Sequence, residues 1–379
     1  MSRDMTPRQR LWAAFQRQIP DAVPIALRMS SFLTDLYGPA DRHMAELRAA
    51  REFGTDLVIW QRGAPLYIWT PELSYWDLPD VEVETQIRQE GSRLVIGRTF
   101  RTPAGLLHDV VQHCGPGYVN SPVILEPLVK DHSDVEKVSF LYPPAADLDL
   151  SGLWMLRDAV GEDGLVEVSF HSPLDVQAAE LLRPAERLLT LPYDDPDLLR
   201  ESLRVCQDAQ LGYIRRYLES GERVIHVWWF YASMSFGWSP AIYDDFFYPL
   251  IAEQVDLVHS YGALYHYYDD GRMLAIVDRL RKLGVDIVST LLPPPSGALT
   301  MAEAKARLGN RTCLMGGLDM INVLQHGSPQ LVTDTVREII EAAAEGGGLV
   351  IDVTNTVRTG TPVENVRAAV EAARRYGRY

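Results

Sequence analysis

The sequence predicts an α/β fold: a single (β/α)8 TIM barrel over residues 1–379, with an antiparallel β-hairpin inserted at about 80–112. Three observations carry that expectation. Short apolar runs rich in Val, Ile and aromatics alternate with helical patterns along the whole chain. They lack strict polar alternation, as strands buried on both faces of a parallel sheet do. The helical patterns share one kind of start, and one stretch alone shows true two-residue alternation.

The runs occupy residues 23–29, 57–61, 166–170, 224–230, 263–267, 287–290, 313–317 and 349–353. Strand and helix in repeated succession give a barrel or a doubly wound sheet. No GxGxxG follows the first run, which disfavours the nucleotide-binding form of the latter. The helix starts are Thr6-Pro7, Ser172-Pro173, Asp195-Pro196, Ser239-Pro240, Ser328-Pro329 and Thr361-Pro362. A Ser, Thr or Asp oxygen caps free N–H groups, and Pro at the first helical position loses no needed donor. Thr6 with Gln9, and Thr361 with Glu364, have capping-box spacing. Residues 81–111 alternate around Glu90-Gly91-Ser92, the pattern of a hairpin with a glycine turn. Insertions after barrel strands lie on the catalytic face, so part of a lid is expected there.

Composition narrows the function. At 47% hydrophobic and 23% charged residues the chain is of ordinary globular type, not disordered. It carries 36 basic and 51 acidic side chains, a net charge of −15. Nucleic acid and anionic membranes reward a basic surface, so neither is an expected partner. A local basic pocket for a small anion remains open. Cys114, Cys206 and Cys313 are isolated and read as reduced thiols. The start, MSRDMTPRQR, has no apolar leader segment, and no apolar run reaches membrane-spanning length. A cytoplasmic protein is expected.

Several ordered segments carry a family resemblance. They are MTPRQRLWAAFQRQIPDAVPI at the start, Arg101-Thr102-Pro103-Ala104-Gly105 and Glu126-Pro127-Leu128-Val129-Lys130. Further on come Ser239-Pro240 with Tyr243 and Phe246, Gly316-Gly317-Leu318-Asp319, residues 360–366, and the Tyr376-Gly377-Arg378-Tyr379 end. Together they resemble the uroporphyrinogen decarboxylase superfamily over nearly the whole chain. The resemblance implies the barrel and an active site at the C-terminal ends of its strands. It also implies one of two chemistries: cofactor-free decarboxylation, or zinc-dependent methyl transfer linked to a corrinoid protein.

This chain departs from both patterns. The decarboxylase branch has an arginine-rich segment after the first strand and an aspartate after the second. Here the first segment is ALRMSSFL, which keeps only Arg28, and Ile59-Trp60-Gln61-Arg62-Gly63 has no aspartate. The methyltransferase branch has a His-x-Cys motif and a later cysteine as zinc ligands. These align with His266-Tyr267-Tyr268 and with Asp352-Val353-Thr354-Asn355, so both thiolates are missing. A demethylase variant with two carboxylates and a histidine aligns near Phe230, Asp245 and His266, where Phe230 cannot ligate. A rebuilt hard-ligand site would draw on His266, Asp269 or Asp270, and Asp352, with Asp245 as a further candidate.

The candidate catalytic residues are therefore His266, Asp352, Asn355 and Asp269, with His266, Asp245 and Asp352 as the metal set. His266 is a ligand, a general acid or base, or a buried structural histidine. Asp352 and Asn355 line the pocket or cap a turn. Arg28 and Arg62 are candidate anion anchors. His171, Trp229, Tyr231, Tyr268 and Asp319 are candidate substrate contacts, although Asp319 also reads as a helix cap and His171 as a solvent-side residue. Asp244 reads as favourable charge at a helix start. His43, His108, His113, His132, His226, His259 and His326 lack ligand spacing and read as background. Aromatic clusters at 228–231, 236–238 and 265–268 suit a small aromatic or methylated substrate, although core packing accounts for many such rings. The leading expectation is a corrinoid-linked methyltransferase or demethylase, with possible needs met by zinc and a corrinoid protein. The alternatives are a metal-free decarboxylase or other lyase, and a barrel that only binds. A homodimer is left open.

Overall fold

The computed structural model describes residues 4–29, 31–63, 78, 80–113, 123–176, 185–269 and 271–379. Cys114 and Asp270, singled out above, lie outside them. Among the described residues the strands, in chain order, are β1 (Leu57–Arg62), β2 (Glu82–Glu90), β3 (Arg93–Thr102), β4 (Gly105–His113) and β5 (Val123–Glu126). They continue with β6 (Gly164–His171), β7 (Val224–Trp228), β8 (Leu264–Tyr268), β9 (Ile287–Leu291), β10 (Cys313–Leu318) and β11 (Leu349–Val353). Seven of them form one sheet in the order β1-β6-β7-β8-β9-β10-β11. Every pairing in it is parallel. Helices connect successive strands, so the expected α/β alternation is present.

The first apolar run, residues 23–29, is not a regular strand. It touches β11 through an isolated parallel bridge, Ile25 to Ile351, and reaches Val357 through Met29. Ile351 N donates to Pro24 O and Ala26 N donates to Ile351 O, both at 2.9 Å. Toward β1 there is one backbone bond, Asp56 N to Ile25 O at 2.8 Å. Side chains explain the broken ladder. Pro24 has no N–H to give. Ile25 N donates to the Asp56 carboxylate (3.0 Å) and Arg28 N to the Asp352 carboxylate (3.1 Å). In place of the expected strand, this segment is held by carboxylates, and among the described residues the regular parallel sheet has seven strands.

One face of this sheet is closed from below by the first helix, α1 (Pro7–Phe15). Leu11, Trp12 and Phe15 of α1 pack with Ala26, Val58, Leu165, Val224, Leu264, Ile287, Cys313, Met315 and Val350. Each of these strand residues lies near the N-terminal end of its strand. They mark the inward-facing register, and by alternation every second residue above them also faces inward. The Thr6–Gln9 capping box that starts α1 is formed as expected. Asp195, Ser239 and Ser328 cap their helices too. Thr361 does not: its helix begins at Val363 after Pro362, and its hydroxyl is buried without a partner among the described residues.

The insertion is larger than a hairpin. β2 and β3 pair through the Gly91-Ser92 turn, where Gly91 has φ 64°. Glycine suits that left-handed position in a two-residue hairpin loop. The meander then continues into β4 and β5 as a separate four-stranded antiparallel sheet. No helix among the described residues is long and apolar enough to cross a membrane.

If α1 is the floor of the sheet, Phe15→Ala removes its central fully buried ring. Urea unfolding should then show a loss of about 3–5 kcal/mol. A loss under about 1 kcal/mol would mean that α1 is not part of the cooperative core.

Candidate active site

Above the floor the inward face turns polar and aromatic. β1 contributes Trp60 and Arg62 at alternate positions beyond Val58. β6 contributes Glu167, Ser169 and His171 beyond Leu165; β7 gives His226 and Trp228, and β8 gives His266 and Tyr268. Parallel register sets His226 beside His266 and Trp228 beside Tyr268.

Glu167 is fully buried and is the hub of the lower layer. Its carboxylate faces His266 Nδ1 at 3.0 and 3.1 Å, and Trp60 Nε1 donates to it at 2.9 Å. An imidazole that donates Nδ1–H to a carboxylate carries its lone pair on Nε2. His266 Nε2 is buried and has no hydrogen-bond partner among the described residues. Phe15 of α1 lies beneath, 6.2 Å from the His266 ring.

His226 is held in the same way. Its Nδ1 is 2.8 Å from Ser169 Oγ, which also accepts from Trp228 Nε1 at 2.6 Å. The Trp60 ring stacks on it at 4.5 Å, and the His266 ring stands across it at 4.6 Å and 83°. Burial, then the neighbouring His266, Arg28 and His171, push His226 well below the usual histidine range. It is a neutral ring, and its Nε2 is likewise buried without a partner among the described residues.

The upper layer is built on aromatic faces. Trp228 and Tyr268 meet at 4.2 Å, and His171 stacks on Trp228 at 5.7 Å and 12°. Burial, reinforced by the Arg62 guanidinium, pushes His171 down to about 4. Arg62 itself is exposed at the end of β1, and among the described residues no carboxylate pairs with it.

Arg28 and Asp352, expected to act separately, bind each other. Arg28 Nε donates to Asp352 Oδ2 at 2.8 Å and its Nη2 to Val353 O at 3.1 Å. Its guanidinium lies 4.9 Å from the Trp60 ring and 5.1 Å from the Tyr268 ring. Burial opposes the Arg28 charge, and Asp352 and Tyr268 more than restore it. Asp352 therefore serves as a counter-ion, not as a free ligand or base.

The remaining expected residues divide plainly. Asp269 is buried one position past Tyr268, where it accepts from Gly271 N at 2.8 Å and neighbours Tyr243 and Tyr267. Alternation thus turns it away from the inward face. Trp229 is turned away too: its Nε1 donates to Tyr265 OH at 2.9 Å, and that hydroxyl donates to Gln254. Tyr231 lies in the turn after β7 against Phe230 and Phe236. Asp319 is the helix cap. It accepts from Ile321 N, Asn322 N, Asn322 Nδ2 and Ser296 Oγ, which overcome burial and hold it below the usual carboxylate range. Asn355 is half-buried just past β11. Asp245 is exposed and paired with Arg200 at 2.7 Å.

The metal set His266, Asp245 and Asp352 is therefore not assembled. Asp245 points to solvent, and Asp352 is neutralised by Arg28. Among the described residues no three His, Cys, Asp or Glu side chains come together as ligands. Cys313 is in the floor, its thiol pushed up to about 12 by burial, and Cys206 is buried in a long helix beside Tyr142. The donor set does not fit a thiolate zinc centre, and no step is drawn through one.

Sequence reasoning missed Glu167, His226, Trp60, Trp228 and Ser169. The available signal was parity. Polar or aromatic residues two apart recur at the ends of four successive apolar runs: Trp60/Arg62, Glu167/Ser169/His171, His226/Trp228 and His266/Tyr268.

Low folded values for His171 and His226 have a direct consequence for stability. The native state binds fewer protons than the unfolded chain, whose histidines titrate near 6.5. The stability tied to His171 is complete above pH 6.5 and is lost as pH falls from there toward about 4. His171→Gln should flatten the decline in urea midpoint over that window. An unchanged slope would show that His171 titrates normally.

The uroporphyrinogen decarboxylase (URO-D) family matches residues 114–376, more than half of the chain. A uroporphyrinogen decarboxylase of Prochlorococcus marinus is 25% identical over 318 residues, covering 80% of this chain and 83% of that protein. One of Nostoc punctiforme is 26% identical over 313 residues, covering 79% and 83%. A methyltransferase from Methanosarcina mazei superposes with a TM-score of 0.64 at 16% identity, covering 98% of this chain and 99% of that one. At that identity the likeness speaks for the fold alone. From the match over its C-terminal two thirds and these relatives, the chain belongs to the uroporphyrinogen decarboxylase family.

Proposed function

We propose that the chain is a carbon–carbon lyase of the decarboxylase type, acting on a small, flat, anionic substrate without a metal. The observation that carries this reading is the Glu167–His266 pair, which leaves an unpartnered Nε2 on the inward face. The reading takes residues 23–29 as the eighth stave of a (β/α)8 barrel, with the mouth at the strand C-terminal ends.

The groups have distinct tasks. Arg62 meets the substrate anion. Trp228, Tyr268 and neutral His171 form flat walls that suit an aromatic ring. As the carboxylate carbon leaves as carbon dioxide, its bonding electron pair stays on the substrate carbon. Protonated His266 then delivers the Nε2 proton to that carbon, and solvent returns a proton to the ring. Glu167 fixes the ring and stabilises the imidazolium, as an orienting carboxylate does beside a catalytic histidine. Neutral His226 keeps the neighbouring wall uncharged.

Methyl transfer through zinc and a corrinoid protein would need three converging ligands. Among the described residues no three His, Cys, Asp or Glu side chains converge as one ligand set, and the Glu167 carboxylate beside His266 is met by the His266 and Trp60 donors, so no specific observation favours that reading.

The test is carbon dioxide release from a panel of aromatic carboxylates in deuterated water. The expected product carries deuterium at the carbon that lost the carboxyl group. His266→Gln, which keeps a donor for Glu167, should lower turnover by about 10²–10⁴-fold. Release without solvent deuterium at that carbon, or full activity in the variant, would overturn the assignment.

A further inference from the structure

We propose that His226 and His266 together read a hydroxyl group, so that the substrate is an aromatic carboxylate with a hydroxyl on the carbon next to the one that loses carbon dioxide. The inference rests on the decarboxylase reading above and names the substrate class of that same site.

The two histidines hold paired positions on adjacent parallel strands, β7 and β8. A neutral imidazole has one N–H and one lone pair, and the partner at Nδ1 decides which nitrogen carries which. Here the two partners differ in kind. At His266 the partner is the Glu167 carboxylate, which only accepts. The proton of neutral His266 is therefore on Nδ1 and its lone pair on Nε2. At His226 the partner is a hydroxyl, that of Ser169. Ser169 Oγ accepts from Trp228 Nε1 at 2.6 Å. Among the described residues its own proton has one acceptor, His226 Nδ1 at 2.8 Å. The reverse arrangement, Nδ1–H donating to Ser169, would bury the hydroxyl proton unmet. Buried polar groups are met wherever a partner is in reach. His226 is neutral, so its single proton is on Nε2.

His226 thus presents a donor and His266 an acceptor. Both Nε2 atoms are buried and without a partner among the described residues. Their rings stand 4.6 Å apart at 83°. Unmet buried groups of this kind are costly, and one oxygen that accepts from the first and donates to the second satisfies both. A hydroxyl does this. A carbonyl or carboxylate would meet the His226 N–H but turn a lone pair toward His266, and an ammonium would meet His266 alone.

The same arrangement supplies the proton that the reaction consumes. The hydroxyl proton passes to His266 Nε2, which forms the imidazolium beside Glu167 and leaves a phenolate oxygen on the His226 N–H. The carboxyl carbon departs as carbon dioxide, its bonding pair stays on the substrate carbon, and Nε2 gives its proton to that carbon. The proton that solvent returns to His266 then re-forms the hydroxyl. One nitrogen serves both atoms only where the hydroxyl-bearing carbon adjoins the reacting carbon, which selects the ortho acid over the meta and para acids.

The probes are ortho-hydroxybenzenesulfonate, ortho-methoxybenzenesulfonate and benzenesulfonate, in which a sulfonate that cannot leave as carbon dioxide replaces the carboxylate. By calorimetric titration the hydroxy compound should bind at least about tenfold tighter than the other two, and His226→Phe should remove that preference. Nitrogen-15 NMR of the native protein should show His226 as the Nε2–H tautomer. Equal affinities in the native chain, no binding of any of the three, or a His226 proton on Nδ1 would each overturn the proposal. Carbon dioxide release from aromatic carboxylates without the preference would overturn the hydroxyl pair alone. The preference without release from any ortho-hydroxy acid would overturn the proposed reaction and leave the pair standing.

Discussion

A carboxylate with no access to water must be met by donors, because leaving it uncompensated costs several kcal/mol. Glu167 is such a group, in the middle of a parallel sheet. Its two donors come from flanking and next-but-one strands: Trp60 on β1 and His266 on β8. Satisfying Glu167 therefore fixes the indole plane, the imidazole plane and the imidazole tautomer together. The Trp60 face so placed becomes the surface on which His226 stacks. His226 in turn depends on Ser169, and Ser169 on Trp228. One buried charge thus organises four strands of the inward face.

A second constraint holds the other side. Residues 23–29 lack the regular ladder of their neighbours, and two aspartates replace it. Asp56 binds Ile25 N and also Arg10 of α1, which joins the floor to the 23–29 segment. Asp352 binds both the backbone and the guanidinium of Arg28. Arg28 is then held flat between Trp60 and Tyr268 as part of the wall. The sheet is irregular again where β9 meets β10. There Thr290 has φ 61° and Gly316 has φ 139°, and a side chain at Gly316 would lie 2.7 Å from Leu291 N. A β-branched residue in the left-handed region is strained, and such strain gathers near functional sites. The Thr290 hydroxyl donates to Asp269 O at 2.7 Å, tying this bend to the end of β8.

Much of the fold was legible because it rests on local rules. Thr6, Asp195, Ser239 and Ser328 cap helices where their Pro-containing junctions placed the starts. Where the reading failed, a longer-range contact decided. The run at 23–29 has the composition of a strand, but Asp56 and Asp352, distant in sequence, take its N–H groups. Thr361 has capping-box spacing, yet its hydroxyl is buried in the packing of the last helix. For the site, His266 and Tyr268 could be placed by position, and Arg28 by its strand. Their partners could not. Arg28 with Asp352, and His266 with Glu167, are far apart in the chain, and only the packing of the parallel sheet and the 23–29 segment brings them together. The aromatic cluster at 228–231 does not itself say which ring faces inward; β7 ends at Trp228, whose parity follows His226, and Trp229 is turned away.

Everything proposed for the chemistry turns on which nitrogen of His266 carries the proton. Long-range proton–nitrogen correlation NMR of the imidazole side chains in the native protein reads this directly. With Glu167 accepting from Nδ1, neutral His266 should appear as the Nδ1–H tautomer, its Nε2 unprotonated and facing inward. A neutral His266 protonated at Nε2 would contradict the account, because Nδ1 would then turn a lone pair toward the Glu167 carboxylate and the hydrogen bond that orients the ring could not exist.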